Sequence, residues 1–412
     1  MRKRARALFE TAVAAADPVP ALRHHMAATP PPPPGPDGRQ IVIAVGKAAP
    51  AMLAEALRLL GPDCTALAVT HHENEAGGAG LPIRHAGHPL PDRAGHAAAQ
   101  EVLSLLDRAG PEDSVIALIS GGGSALLPAP AGGLSLDDKI AVNRLLLASG
   151  LGIEDMNLIR QQLSELKGGG FLRHASPAPV TAYILSDVIG DDLRAIASGP
   201  TVAPIGTRTQ ACELIRRTGF WDDLPQVVRD HLGADIVPPA TPAGTNILIG
   251  SNRLSLQAML EGAGAGARIL DDRLIGDVGA AADQILGALQ AADNGGPTTL
   301  IFGGETTVRI KGSGLGGRNQ ELALRVAALA EDLRPGRWTF LSGGTDGRDG
   351  PTEAAGGLVD SGTLARIRAK GGDPQALLAN NDSNRALALA DDLLITGASG
   401  TNVADVQVLI VD

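Results

Sequence analysis

Aromatic side chains make up only 2% of this 412-residue chain: one tyrosine, two tryptophans and five phenylalanines. Its cores must therefore be built from Ala, Leu, Val and Ile, and the 44% apolar content is ample for that. No basic stripe interleaved with aromatics occurs and the formal charge is −10, which argues against a nucleic-acid partner. Two cysteines, Cys64 and Cys212, match no disulfide framework or zinc spacing. They fit a reducing compartment, and the cytoplasm is the expected location. No apolar run approaches the ~18 residues of a membrane span, so no membrane partner is expected. The basic start, Met1-Arg-Lys-Arg-Ala-Arg6, is followed only by a short Ala-rich stretch between Glu10 and Asp17. It reads as a surface helix rather than a signal peptide.

Glycine is abundant, at 53 residues, with no collagen-like period. The glycines cluster at the ends of apolar runs. In Ile116-Ala-Leu-Ile-Ser120-Gly121-Gly122-Gly123-Ser124-Ala125 a buried parallel strand is expected to end in a tight turn. Glycine lets that backbone come close to a ligand, and converging N–H groups can hold a phosphate oxygen. The same grammar recurs at Ile43-Ala-Val-Gly46-Lys47, at Leu300-Ile-Phe-Gly303-Gly304-Glu305 and at Phe340-Leu-Ser-Gly-Gly344. Repeated strand–glycine turns point to one crevice built from several of them.

In chain order, a helix is expected over 2–16 and a stiff connector over 30–34. Strands are expected at 41–45, 66–70, 115–119 and 180–185, with helices at 97–108, 136–149 and 155–166. The stretch 221–245 is rich in Pro and Asp, and we place a domain boundary there, between 240 and 241. A second alternating unit follows, with strands at 246–250, 298–302, 306–310, 337–341, 392–396 and 406–411 and helices at 279–292 and 318–330. This alternation predicts an α/β fold in both halves.

Several residues are candidates for chemistry. Lys167 closes a helix before three glycines, where it complements the helix end or reaches a phosphate. Asp187 lies just past a strand, well placed for a metal ion or a substrate proton. Arg318 sits where glycines give way to a helix, an unfavourable end for a cation, and can bind a carboxylate or phosphate bidentately. The same argument applies to Lys47. Asp346 or Asp349 can hold Mg²⁺, or simply make a turn. Gly312-Ser-Gly-Leu-Gly-Gly317 formally satisfies G-x-G-x-x-G but lacks the acidic partner of a dinucleotide site. No phosphate-binding G-x-x-x-x-G-K-[ST] loop occurs. The histidines at 71, 72, 85, 88 and 96 fit no zinc-helix spacing and read as loop hydrogen-bonders.

Taken together, the ordered set Gly46-Lys-Ala48, Gly87-His-Pro-Leu-Pro-Asp92, Ser120-Gly-Gly-Gly-Ser-Ala125, Leu166-Lys-Gly-Gly169, Ser186-Asp-Val-Ile-Gly-Asp-Asp192, Gly303-Gly-Glu-Thr-Thr-Val308, Gly316-Gly-Arg-Asn-Gln-Glu321, Gly344-Thr-Asp-Gly347 and Thr401-Asn-Val403 resembles the MOFRL-type, or class II, glycerate 2-kinases over almost the whole chain. The resemblance implies an N-terminal Rossmann-like domain (1–240), a C-terminal MOFRL-type domain (241–412) and an active site in an interdomain cleft. It implies ATP-dependent phosphorylation of D-glycerate at the 2-hydroxyl, with Mg²⁺, and key roles for Lys47 and Arg318. A homodimer is an assembly it leaves open. Departures are Gln161-Gln162 before Leu-Ser164, where the family usually has His, and Asn384, where it has Tyr. They bear on substrate preference more than on reaction class.

On this reading one of Lys47 and Arg318 neutralises the glycerate carboxylate and the other the transferring phosphoryl group. Ser120, Gly121, Gly122, Gly123, Ser124, Lys167, Gly303 and Gly304 would bind nucleotide phosphates. Asp187, Asp192, Glu305 and Asp346 are the candidate Mg²⁺ ligands, and Asp187 the candidate acceptor of the hydroxyl proton. The rival enzyme is an NAD(P)H-dependent hydroxypyruvate reductase; a non-catalytic sugar-acid or nucleotide sensor is the alternative outside enzymes.

Overall fold

A computed structural model describes residues 1–74, 80–234, 239–292, 297–331 and 337–412. They form two compact units, one of Pro18–Ser186 and Asp191–Ile249, the other of Met1–Asp17, Asp187–Gly190 and Gly250–Asp412. A single boundary at 240 does not provide for this division, because 1–17 and 187–190 join the later half. Within the expected boundary stretch, Gln226–Gly233 is a helix and 235–238 lie outside the described residues.

The first unit carries a sheet of β1 (Gln40–Val45), β2 (Thr65–His71), β3 (Ile83–Ala86), β4 (Ser114–Ile119), β5 (Val180–Leu185) and β6 (Thr245–Gly250), in the order β3-β2-β1-β4-β5-β6. The pairs from β3 through β5 are parallel. Every residue of β4 and β5 is buried, as continuous apolar runs in a parallel sheet should be. This is the Rossmann strand order, and ligands bind at the carboxyl ends of the strands where that order reverses. The reversal falls between β1 and β4, so Gly46-Lys47 and the glycines after β4 flank the crevice. The helix Pro18–Ala28 is not among the expected elements, because Pro18 and Pro20 resemble loop residues. Proline is tolerated in a first helical turn, where the missing N–H has no partner to lose, and Leu22 and Met26 bury the helix.

The second unit contains β7 (Ala267–Asp271), β8 (Gly276–Asp277), β9 (Thr298–Gly304), β10 (Thr306–Thr307), β11 (Trp338–Gly344), β12 (Gly356–Asp360), β13 (Leu393–Leu394) and β14 (Asp405–Val411). Its main sheet runs β13-β12-β11-β14-β9-β7. Only β7 and β9 are parallel neighbours there; the other pairs are antiparallel. The strands expected at 306–310 and 392–396 shrink to the two residues of β10 and β13. Register positions the chemistry: Asp405, the first residue of β14, lies opposite Gly304 on one side and Gly344 on the other. The residues just past β9 and β11, among them Glu305 and Asp346, therefore arrive at one end of the sheet.

The helix Arg2–Ala15 is more than a surface element. Ala5, Leu8, Phe9 and Ala12, at helical spacing, are buried in a cluster with Leu256, Met259, Ile301 and Leu341. Ser255 Oγ donates to the Ala12 carbonyl at 2.8 Å, and Thr401 Oγ1 to that of Ala16 at 2.6 Å. Arg2 bridges Asp360 and Asp392. Burial of Leu8 and Phe9 contributes about 1.5–3 kcal/mol each. Among the described residues no helix is long and apolar enough to cross a membrane.

Candidate active site

In the first unit the site is built on two strand ends tied to each other. Ser120 is buried; its Oγ accepts from the Ala48 N–H (3.1 Å) and donates to the Val45 carbonyl (3.3 Å). The Lys47 N–H donates to the Gly121 carbonyl at 2.9 Å. Gly46 is required at this joint. Its φ is +123°, and a Cβ there would lie 2.2 Å from Ser120 Oγ. Asn74 fixes the other side by donating to the Lys47 carbonyl at 2.7 Å and to Thr70 Oγ1 at 2.9 Å. Lys47 is thus held by its backbone, while among the described residues its ammonium has no hydrogen-bond or ion-pair partner. The Ser120 hydroxyl is engaged in this joint.

Gly122 faces Lys47 and His88: a Cβ on it would stand 3.2 Å from the His88 ring and 3.5 Å from Lys47 Cγ. Sequence reasoning gave His88 only a loop role, and its place after Gly87 was the available signal. Burial, then Lys47 and His71, lower its pKa, so it favours the neutral form. On the far side of the loop Lys167 is buried and its Nζ donates to the Ser124 carbonyl and to Ser124 Oγ, both at 2.6 Å. Ser124 Oγ also meets Ser198 Oγ at 2.8 Å, and Ser198 donates to Asn157. Burial, then Lys139 and Arg160, push the Lys167 amine well down.

In the second unit Arg318 is the first residue of the helix Arg318–Ala330. Its Nε donates to Asp405 Oδ2 at 2.6 Å and its Nη2 to Oδ1 at 2.9 Å. Nη2 also lies 3.2 Å from Glu305 Oε1. Burial opposes the charge on Arg318, but Asp405 and Glu305 outweigh it and hold the guanidinium above its ordinary value. The bidentate edge expected for an anion is therefore already used by Asp405. Asp405 is fully buried and was missed from sequence, although it follows Thr401-Asn-Val403 by two residues. A Cβ on Gly344 would lie 3.2 Å from Asp346 Oδ1 and 3.5 Å from Asp405 Oδ1, so these carboxylates share one corner. The Glu305 carboxyl is raised by partial burial, with Asp405, Asp187 and Asp346 adding to the effect against Arg318. Its side chain keeps 48% of its surface exposed, so that burial is incomplete.

Other expectations change. Asp192 belongs to the first unit, whereas Glu305, Asp346 and Asp187 belong to the second. Its carboxylate is paired bidentately with Arg194. Asp349 is buried and caps the helix Arg318–Ala330, accepting from the Asn319 and Gln320 N–H groups at 3.2 and 2.9 Å. Gly303 and Gly304 are glycines for packing: added Cβ atoms would meet Asn252 Oδ1 and the Leu274 backbone, each at 2.2 Å. Both are buried under these neighbours. The first part of the G-x-G-x-x-G loop is engaged within the chain. The N–H groups of 311–315 donate to Asn380, Asn381 and Asp382, leaving none of the five for a pyrophosphate.

Among the described residues no three His, Cys, Asp or Glu side chains form a ready metal site. Mg²⁺ in phosphoryl-transfer sites is held by one or two carboxylates together with phosphates and water, so a full protein cage is not required. Burial raises the Glu305 carboxyl first, and Asp405, Asp187 and Asp346 add to it against Arg318; a divalent cation fits that group of carboxylates.

Two family descriptions match this chain: "Domain of unknown function (DUF4147)" over residues 4–233 and "MOFRL family" over 298–405. A D-glycerate 2-kinase of Thermotoga maritima is 38% identical, with 89% of each chain covered. A relative from Agrobacterium vitis, 39% identical over 98% of this chain and 93% of its own, carries a provisional hydroxypyruvate reductase name. The crystal structure of a Thermotoga maritima glycerate kinase superposes with a TM-score of 0.92 at 36% identity, covering 100% of this chain and 99% of that one. With both family descriptions matched in order and kinase relatives aligned along most of its length, the chain belongs to the MOFRL-type glycerate 2-kinase family.

Proposed function

We propose that this protein is a cytoplasmic kinase that transfers the γ-phosphoryl group of ATP to the 2-hydroxyl of D-glycerate, giving 2-phosphoglycerate and ADP. The observation that carries the reading is the pair of anchored cations. Lys47 is fixed by its backbone at the β1–β4 switch point with its ammonium unspent, and Arg318 is locked by Asp405 among carboxylates. Phosphoryl transfer asks for positioned charge more than for covalent chemistry. A compact ammonium suits the moving phosphoryl group, and a planar guanidinium suits a carboxylate. We therefore assign Lys47 to the phosphoryl group and Arg318, through its remaining Nη1 donors, to the glycerate carboxylate. Glu305, Asp346 and Asp187 would hold Mg²⁺, which supplies charge neutralisation on the phosphates. Asp187 can accept the hydroxyl proton. The N–H groups of 311–315 are already hydrogen-bonded within the chain, which weighs against a pyrophosphate there and so against the reductase reading.

The test supplies ATP, Mg²⁺ and D-glycerate, follows ADP, and passes the product to enolase with and without phosphoglycerate mutase. Consumption by enolase alone supports the reading. Dependence on the mutase would mean 3-phosphoglycerate and the wrong hydroxyl. Absence of ADP together with NAD(P)H oxidation on hydroxypyruvate would hand the protein to the reductase reading.

A further inference from the structure

Beside Gly122 and Ser124 the first unit holds a cavity of about 270 Å³. Three basic side chains, Lys139, Arg160 and Lys167, line it together with His88, and among the described residues no carboxylate does. Lys139 Nζ donates to the Leu163 carbonyl at 2.9 Å and Arg160 Nη2 to Asn143 Oδ1 at 2.6 Å. Neither contact neutralises a charge. The acid that Lys139 feels, Glu165, is engaged elsewhere, by the Gly132 N–H and His174. Like charges gathered in a partly desolvated place repel one another, and an anion between them would relieve that repulsion. The effect is visible at Lys139, where burial and Arg160 push the amine down to about 7.

Apart from Ser124 and Asn143, the rest of the lining is apolar or glycine. Leu90 and Leu147 are large hydrophobic side chains at this cavity that stay 54% and 59% exposed. Glycerate is small and polar throughout and has no use for such a rim, whereas a nucleotide carries a flat base as well as phosphates. The cavity also shares Gly122 with Lys47, so a polyphosphate seated here would end beside the ammonium assigned to the phosphoryl group.

The geometry points to this cavity as the seat of the nucleotide's phosphate chain, with Lys139 and Arg160 as binding residues alongside Lys167 and the base against the leucine rim. The inference rests on the kinase reading and adds where the nucleotide lies.

The first arm uses the wild-type full chain. Lys139, close to neutral at pH 8, is pulsed with an amine-acylating reagent and its modification is read by mass spectrometry, with ADP or with D-glycerate present. ADP at roughly ten times its Kd should slow Lys139 acylation about tenfold, and D-glycerate should not. In the second arm, Lys139→Met with Arg160→Met should weaken ADP binding by about 30-fold or more while KM for D-glycerate stays within about threefold. Circular dichroism confirms the fold, and the wild-type arm stands if the variant does not fold. Protection by D-glycerate instead of ADP, or by neither, overturns the proposal. The two readings fail separately. ADP protection without 2-phosphoglycerate formation sinks the kinase reading alone. Catalysis with Lys139 unprotected by ADP sinks the subsite alone.

Discussion

Asp405 gives both of its carboxylate oxygens to Arg318, at 2.6 and 2.9 Å, from the first residue of a strand that is paired on both edges. The acid is fully buried, while 33% of the arginine side chain is exposed. The pair is thus a rigid acid holding a cation that can still reach a ligand. Arg318→Ala should abolish most turnover, but it also strands a buried charge, and we expect a loss of about 2–4 kcal/mol of stability. Arg318→Ala with Asp405→Ala should recover much of the melting temperature and none of the activity. Recovery of kcat in the double variant would show that Arg318 serves the fold rather than the reaction.

Lys47 calls for the opposite pattern. Its side chain pairs with nothing described, so Lys47→Ala should leave the melting temperature within about 1 °C and lower kcat by about two to three orders of magnitude. Gly46→Ala, next to it, should cost about 2–4 kcal/mol, because the new Cβ meets Ser120 in a backbone conformation that side chains rarely adopt. Thermal melts and steady-state kinetics of the two variants separate the scaffold from the cation.

Glu305 makes stability depend on pH. Its carboxyl is raised above 4.5, so the folded state binds the proton more tightly than the unfolded chain. Its contribution to stability therefore falls as pH rises from 4.5 through the raised value. Melting curves of wild type and Glu305→Gln across that window, without metal, should diverge, with the variant relatively more stable at the upper end. Mg²⁺ should stabilise the wild type more than Glu305→Gln there. Parallel curves and equal responses would remove Glu305 from the metal-binding set.

Asp192→Asn should leave kcat within about threefold, because its carboxylate is paired with exposed Arg194 and such pairs contribute little. Kinetics at saturating and limiting Mg²⁺ check this; a large loss at limiting Mg²⁺ would return Asp192 to the metal ligands.

The strand–glycine–helix grammar made the first unit legible, because buried parallel strands are continuous apolar runs and their ends carry the site. Lys47, Lys167 and Arg318 could be chosen because each is a cation next to glycine-rich backbone. What the residues could not reveal was occupancy. Ser120, Gly303, Gly304 and residues 312–315 have the composition of ligand sites, yet the Ser120 hydroxyl, the space beside Gly303 and Gly304 and the 312–315 N–H groups are taken by neighbours distant in sequence. Asp405 was hidden for a related reason: an aspartate opening an apolar strand gains meaning only from the register that sets it between Gly304 and Gly344. β3, with four residues, and the proline-started helix at 18–28 gave too short or too contradictory a pattern to read.

The helix Arg2–Ala15 has one further consequence, and it concerns time. It is synthesised well before the surface that covers Leu8 and Phe9, which is contributed by residues from 256 onward. At about 5–20 residues per second, its apolar face waits on the order of tens of seconds for a partner, while the intervening Rossmann-like unit can fold. Synthesis therefore runs with this apolar face unsatisfied, which gives chaperones a window and makes the docking of the 2–15 helix onto residues from 256 onward a late step.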